Sequence, residues 1–274
     1  MPSYPNQGLS GPFPPSSEPI LICGPCAIES RAQLMEAAAF LSELGIKVMR
    51  GGAYKPRTSP SSFQGVGAQG LEWLAEAADK YDIRTISEIM DARDLSLFDP
   101  IDILQVGTRN MQNFSLLKEL GKTNKPILLK RGFMSTIEEF LCAAGYISKE
   151  GNRAIILCER GIRTFEKSTR NTLDLSCVAV IHQETNYRTI VDLSHSLGRK
   201  DIILPIARAS LACGAAGLMI EVHANPSEAL CDGHQSLSFK ELSCLMLNLK
   251  PFLAYLAQEC SAALGTKRSG EVLG

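Results

Sequence analysis

The sequence has almost no net charge. Its 28 basic and 29 acidic side chains leave -1 over 274 residues. A nucleic-acid-binding domain carries a basic excess, so that class is set aside. No apolar run is long and uncharged enough to cross a membrane. No charged start leads into an apolar stretch, as a secretory signal would require. The 9 cysteines are odd in number and scattered. That is not the framework of a small secreted disulfide protein, and a reduced, cytoplasmic protein is expected. No G-x-G-x-x-G follows the first apolar run, and there is no G-x-S-x-G elbow for a serine nucleophile.

What is present is a rhythm. Eight short apolar runs recur: PILICG, IKVMRG, IRTISEI, DILQVGT, PILLKRG, AIILCERG, RTIVDLS and AGLMIEVH. Each has strand length and is apolar on both faces, as in parallel sheets covered on both sides. Helical patterns lie between most of them. Ser30 with Gln33 reads as a capping box before the stripe Leu34, Ala38 and Leu41. Ser135 with Glu138 reads as a second box before Phe140, Leu141, Ala144 and Ile147. Leu71, Leu74, Ala78 and Tyr81 mark another helix, and Ile202, Ile206 and Ala209 one more. Strand–helix alternation repeated about eight times predicts a (β/α)8 TIM barrel. The catalytic barrel is assigned to residues 19–260. Residues 1–18, rich in Pro and Ser, and residues 261–274 read as flexible tails.

Barrel chemistry sits at the carboxyl ends of the strands. The residues there are strongly cationic: Arg50, Lys55 and Arg57, then Arg109, Lys130, Arg131, Arg160, Arg163 and Arg199. One such residue reads best as half of an ion pair. A ring of them around one mouth repels itself unless an anionic ligand compensates, most simply one with phosphates and a carboxylate. A second set, Cys26, His195, Glu221 and Asp232, follows strands one, seven and eight, which closure makes neighbours. A thiolate, an imidazole and two carboxylates can hold a divalent metal ion, and Mn, Fe, Co, Zn and Cu all stay open. Taken one at a time, a buried cysteine is more often just a small apolar residue. Asp192, Ser194 and His195 lie too close along one strand for a hydrolytic triad. Asp192 is better read as orienting His195.

The blocks GPCAIES, RGGAYKPRTSP, QVGTRNMQNF, LLKRGFMSTIEEF, ILCERGIRTFEKSTRNTLD, SHSLGR, EVHANP and ALCDGHQSL resemble the type Iβ 3-deoxy-D-arabino-heptulosonate 7-phosphate (DAHP) synthases, in order from about residue 19 to 256. The resemblance implies condensation of phosphoenolpyruvate with erythrose 4-phosphate, the first step of aromatic biosynthesis. It implies metal ligation by Cys26, His195, Glu221 and Asp232. Arg50, Lys55, Arg109, Lys130 and Arg160 match the cations for phosphoenolpyruvate. Arg57 and Thr58 match the block for the sugar phosphate, with Ser196 and Arg199 as further sugar contacts. Lys55, His195 and Cys26 are the implied catalytic residues. The expected partners are these two small substrates and further copies of the chain, as a dimer or tetramer. No built-in feedback domain is expected. Two positions depart from the family pattern: Leu193 stands where Pro is usual and Leu197 where Gly is usual. A positive φ at Leu197 would strain it.

Three other readings compete. The sister octulosonate synthase, which uses arabinose 5-phosphate, usually has K-A-N-R-S where this chain has Lys55-Pro56-Arg57-Thr58. A thiol–disulfide oxidoreductase is suggested by Cys23-Gly24-Pro25-Cys26, but lacks a Trp before the first Cys. On the synthase reading a Cys23–Cys26 disulfide is damage, because it removes a ligand. A non-enzymatic metal- or phosphate-binding protein is the third.

Overall fold

The computed structural model describes residues 19–269. The expected tail at 1–18 lies outside the described residues. All eight apolar runs are strands: β1 (Ile20–Gly24), β2 (Val48–Arg50), β3 (Arg84–Glu88), β4 (Ile103–Val106), β5 (Ile127–Lys130), β6 (Ile155–Glu159), β7 (Arg188–Asp192) and β8 (Gly217–Glu221). Every neighbouring pair is parallel, and β1 pairs with β8 in register from Ile20↔Gly217 to Gly24↔Glu221, closing the barrel. The chain is thus a (β/α)8 barrel.

Strand alternation sorts the core into two layers. Ile22, Val48, Ile86, Leu128, Ile156 and Met219 fill the barrel interior. Cys23, Met49, Leu104, Leu129, Leu157 and Ile220 face the surrounding helices. Those helices are α1 (Arg31–Glu43), α2 (Ala68–Tyr81), α3 (Phe114–Gly121), α4 (Ile137–Lys149), α5 (Leu175–Glu184), α6 (Leu193–Leu197), α7 (Ile203–Ala212) and α8 (Phe239–Ser269). Between β3 and β4 a 3-10 segment, Ala92–Phe98, replaces an α-helix. Among the described residues no helix is long and apolar enough to cross a membrane.

Several local expectations shift. The capping box of α4 is Thr136 with Glu139, one residue later than Ser135 with Glu138. Ser30 caps α1 by accepting from Gln33 N at 3.2 Å, but the Gln33 side chain reaches Glu29 N and Ala27 O rather than completing a box. α8 runs on to Ser269, past residue 260 where the sequence reading ends the barrel. Leu197 ends α6, and the left-handed residue is Gly198 at φ 66°. Leu193 and Leu197 are buried in the core, and neither has a positive φ, so the expected strain at Leu197 does not arise.

Candidate active site and metal cluster

The strand ends open into a cavity of about 290 Å³, near the small end for a ligand site. Its wall includes Arg50, Lys55, Arg57, Thr58 and Arg109, and further round Lys130, Arg160, His195 and Asp232. The structure therefore brings most of the candidate residues to one place from six strands.

Closure at the β1 end depends on one glycine. Gly24 has φ 144°, and a Cβ there would lie 2.1 Å from the Arg50 carbonyl oxygen. The bare backbone lets β1 pass β2 closely and delivers Cys26 beside Arg50, whose Nη2 donates to Cys26 O at 3.1 Å.

One ligand atom each from Cys26, His195, Glu221 and Asp232 falls within a set whose members are all within 4.8 Å of one another. Cys26 Sγ lies 3.3 Å from Asp232 Oδ2. His195 Nε2 lies 3.4 Å from Glu221 Oε1 and 3.7 Å from Asp232 Oδ2. The other ring nitrogen, Nδ1, lies 2.8 Å from Asp192 Oδ2, which assigns it the proton. Burial pushes the His195 pKa down against the pull of Asp192 and Glu221, so the neutral ring is favoured. The Nε2 lone pair then faces two carboxylates. Burial alone would raise the pKa values of Glu221 and Asp232, but His195 with Arg50 for the first, and Arg170 with His195 for the second, hold them down as anions. Arg50 on Glu221 Oε1, Arg170 on Asp232 Oδ2 and the Cys26 thiol on Asp232 offset part of the repulsion, but the unprotonated His195 Nε2 still faces two acceptor oxygens, and a cation placed between them removes that clash. The donor set therefore fits a divalent metal ion, with soft and hard ligands mixed.

Carboxylates tether the deeper cations. Arg50 Nη1 donates to Glu221 Oε1 at 2.9 Å, and Lys130 Nζ pairs with Asp192. Others have no carboxylate partner among the described residues. Lys55 Nζ donates to Cys26 Sγ at 3.1 Å, and Arg57 Nη1 to Cys231 Sγ at 2.6 Å. Burial pulls the Lys55 pKa down, but the Cys26 and Cys231 sulfurs and Glu221 together outweigh it, and the net shift is upward. Arg160 is pushed down by burial, and its Nε has no hydrogen-bond partner. The guanidinium groups of Arg109, Arg160 and Arg163 stand 5.5, 4.9 and 4.2 Å from the Phe133 ring centroid.

The structure leaves two candidate contacts outside the cavity wall. Ser196 is fully buried, and its hydroxyl donates to Asp192 O at 2.8 Å within α6. Its own carbonyl holds Asn171 N at 2.8 Å, so it fixes the β6–α5 connection instead of facing the cavity. Arg199 is an exposed residue paired with Asp201, with Nη1 on Ser168 O at 3.3 Å. Arg131 likewise turns away, to Glu159 at 2.9 Å and Asp174 at 2.8 Å.

Three site residues escaped the sequence reading. Arg170 lines the cavity and pairs with Asp232 Oδ2 at 3.2 Å. It comes from the irregular stretch between β6 and α5, where no periodicity marks a position as inward. Phe133 shares the cation-rich wall. Cys231 Sγ lies 3.4 Å from Cys26 Sγ, and only its place before Asp232 hinted at this. The Cys231 thiol is drawn down to about 7 by its contact with Cys26, while the Cys26 thiol is pushed up by the same contact and by burial.

Outside the cluster, His223 Nε2 stands 3.5 Å from Glu29 Oε2, and Glu29 Oε1 accepts from Leu230 N at 2.8 Å. These contacts pin the loop that carries Cys231 and Asp232. Asp232 itself has φ 53°, a left-handed turn that aims its carboxylate into the cluster.

The chain was compared with known proteins. The model of the DAHP synthetase I family matches residues 16–254. A phospho-2-dehydro-3-deoxyheptonate aldolase of Thermotoga maritima is 57% identical over 231 residues, covering 84% of this chain and 68% of that protein. A 2-dehydro-3-deoxyphosphooctonate aldolase of Geobacter sulfurreducens is 30% identical over 250 residues, 84% of this chain and 91% of that one. The crystal structure of the Thermotoga maritima DAHP synthase superposes with a TM-score of 0.84 at 56% identity, over 86% of this chain and 70% of that one. A family match over residues 16–254, with 57% of the 231 aligned residues shared with one relative, makes this chain a member of the DAHP synthetase I family.

Proposed function

We propose that this chain is a metal-dependent DAHP synthase. It condenses phosphoenolpyruvate with D-erythrose 4-phosphate and water, giving DAHP and phosphate. One observation carries the reading: cations without carboxylate partners among the described residues line the same cavity as His195 and Asp232, two members of the Cys–His–Glu–Asp cluster. Such a wall is stable only when anions fill it.

Cys26, His195, Glu221 and Asp232 would hold the divalent ion, which supplies Lewis acidity to the sugar aldehyde. Lys130, Arg109 and Arg160 take the phosphate and carboxylate of phosphoenolpyruvate. Arg57 and Thr58 take the sugar phosphate. Together they let two highly charged substrates meet, a gain in proximity. The methylene carbon of phosphoenolpyruvate then bonds to the aldehyde carbon. Lys55, kept protonated by its surroundings, donates to the developing alkoxide. His195 serves as a ligand rather than a base, because Asp192 occupies Nδ1 and the cluster occupies Nε2. Water adds to the electron-deficient carbon, and collapse of the tetrahedral centre expels phosphate.

The test compares two sugars. Phosphoenolpyruvate loss and phosphate release are followed with erythrose 4-phosphate and with arabinose 5-phosphate, before and after chelation and with divalent metal restored. Turnover with the four-carbon sugar, abolished by chelator and restored by metal, is the expected result. Preference for the five-carbon sugar would assign the octulosonate reaction instead. No turnover with either would overturn the synthase reading.

A further inference from the structure

The helix that carries His195 is too short to hold itself. α6 has five residues, Leu193–Leu197. The last four carbonyls of a helix have no partner within it, and here that is nearly every one. Ser194 O is met by Gly198 N at 3.0 Å, from the residue that follows. The other three are met from the connection between β6 and α5. Asn171 Nδ2 donates to His195 O at 2.8 Å, Asn171 N to Ser196 O at 2.8 Å, and Arg170 N to Leu197 O at 2.9 Å. Two consecutive residues thus supply three donors to the carbonyl end of α6. Asn171 is buried there. It packs so closely on Gly161 that a Cβ on the glycine would lie 2.7 Å from Asn171 Cβ and 3.3 Å from Ser196 Cα. Gly161 directly follows Arg160 of the cavity wall, and Ile162 and Thr172 exchange two backbone hydrogen bonds of 2.9 Å. The clip is therefore built onto the cation-bearing end of β6.

We propose that Asn171 is a positioning residue whose side-chain amide holds the carbonyl end of α6 and so sets the His195 ring among Cys26, Glu221 and Asp232. Asp192 grips His195 from one side, through its backbone N at 3.0 Å and its ring Nδ1 at 2.8 Å. Asn171 grips the same residue from the other side, through its carbonyl. The peptide units on both sides of the His195 Cα are then fixed, and Asp192 fixes the ring. A ligand set works only when it is held within ~0.5 Å of its working geometry, so a loosened α6 costs the cluster its imidazole. The residue before Asn171 serves a second member of the cluster. Arg170 Nη1 meets Asp232 Oδ2 at 3.2 Å and Gln235 Oε1 at 2.7 Å. One dipeptide thereby reaches two of the four cluster residues. The consequence for metal binding rests on the metal-site reading above, whereas the placement of the ring does not.

The experiment compares Asn171→Ala and Asn171→Asp with Asn152→Ala in the full chain. Asn152 is the matched control: it is buried, its Nδ2 donates to Lys125 O at 2.8 Å, and it precedes β6 at the end of the barrel away from the cavity. Asn171→Asp keeps the side-chain volume, so it tests the donor even where Asn171→Ala does not fold. Three quantities are read: the thermal midpoint, Mn²⁺ affinity by competition with a fluorescent chelator, and the ¹⁵N ring signals of the metal-free chain. The chain has 4 histidines, and the His195 signals are assigned by their loss in His195→Gln. All three variants are expected to melt earlier. Only the Asn171 variants are expected to bind Mn²⁺ more weakly, by ~10-fold, as for the outer partners of a metal ligand. Only they are expected to move the His195 ring signals, with the other histidines unmoved. Unmoved His195 signals in the Asn171 variants would overturn the proposal, as would an equal loss of affinity in Asn152→Ala. Moved signals with undiminished Mn²⁺ affinity would overturn the link from ring placement to the cluster. A wild-type chain that binds no Mn²⁺ would overturn the metal-site reading instead, and the ring signals then decide the positioning role alone.

Discussion

Asp192 Oδ2 pairs with Lys130 Nζ and meets His195 Nδ1 at 2.8 Å, while Oδ1 accepts from His195 N at 3.0 Å. One fully buried carboxylate thus orients a cluster ligand and anchors a wall cation. Burial alone would raise its pKa, but His195 and Lys130 hold it well below the carboxylate range.

Asp192→Asn removes the anion that fixes the His195 tautomer. The amide can present its NH2 to Nδ1 and drive the proton onto Nε2. Metal affinity is expected to fall ~10–100-fold. Competition against a fluorescent chelator measures it. An unchanged affinity would show that Asp192 does not set the ring.

Phe133 holds three guanidinium groups around one ring. Each cation–π contact is worth ~0.5–1 kcal/mol. Phe133→Leu keeps the bulk but loses the π face, so KM for phosphoenolpyruvate is expected to rise ~5-fold or more, with a smaller change in kcat. Phe133→Tyr restores it. Equal losses in Leu and Tyr variants would point to packing alone.

Arg170 and Arg199 separate the structural from the sequence-based assignment. Arg170 pairs with Asp232 at the cavity, whereas Arg199 pairs with Asp201 on the surface. Arg170→Ala should lower kcat/KM ~10-fold or more, because a charged hydrogen bond is lost. Arg199→Ala should shift KM for erythrose 4-phosphate less than ~3-fold, as for an exposed ion pair. A reversed order would return Arg199 to the sugar site.

Acid stability has a local source at Asp174. It caps α5 through Cys177 N at 3.0 Å and pairs with Arg131 at 2.8 Å. Burial raises its pKa, but Arg131, Ser176 and the cap outweigh this, and the folded value lies below the ordinary 3.8. A depressed carboxylate stabilises the fold above its unfolded pKa and loses that contribution as pH falls through the folded value. Asp174→Asn should therefore cost ~1–3 kcal/mol at neutral pH, with a smaller deficit below pH ~4. Urea unfolding at pH 7 and pH 3.5 checks the difference. A constant deficit would remove the titration from the account.

The amino-acid sequence by itself determined the barrel. Its eight apolar runs and the helical stripes between them are local patterns set by backbone periodicity, and parallel strands bounded by helices have few ways to close. It also marked most of the cavity wall, because strand ends can be read once the strands are known. Which neighbour each side chain meets came from the tertiary structure alone. Ser196 and Arg199 sit close to the cluster residue His195 in sequence, yet Ser196 is buried within α6 and Arg199, just past it, turns outward. Arg170 comes from a stretch with no period to read. Cys23 and Cys26 look like a pair along the chain, but strand alternation sends one sulfur toward the helices. Closure of β1 against β8 then gives the other sulfur Cys231 as its neighbour.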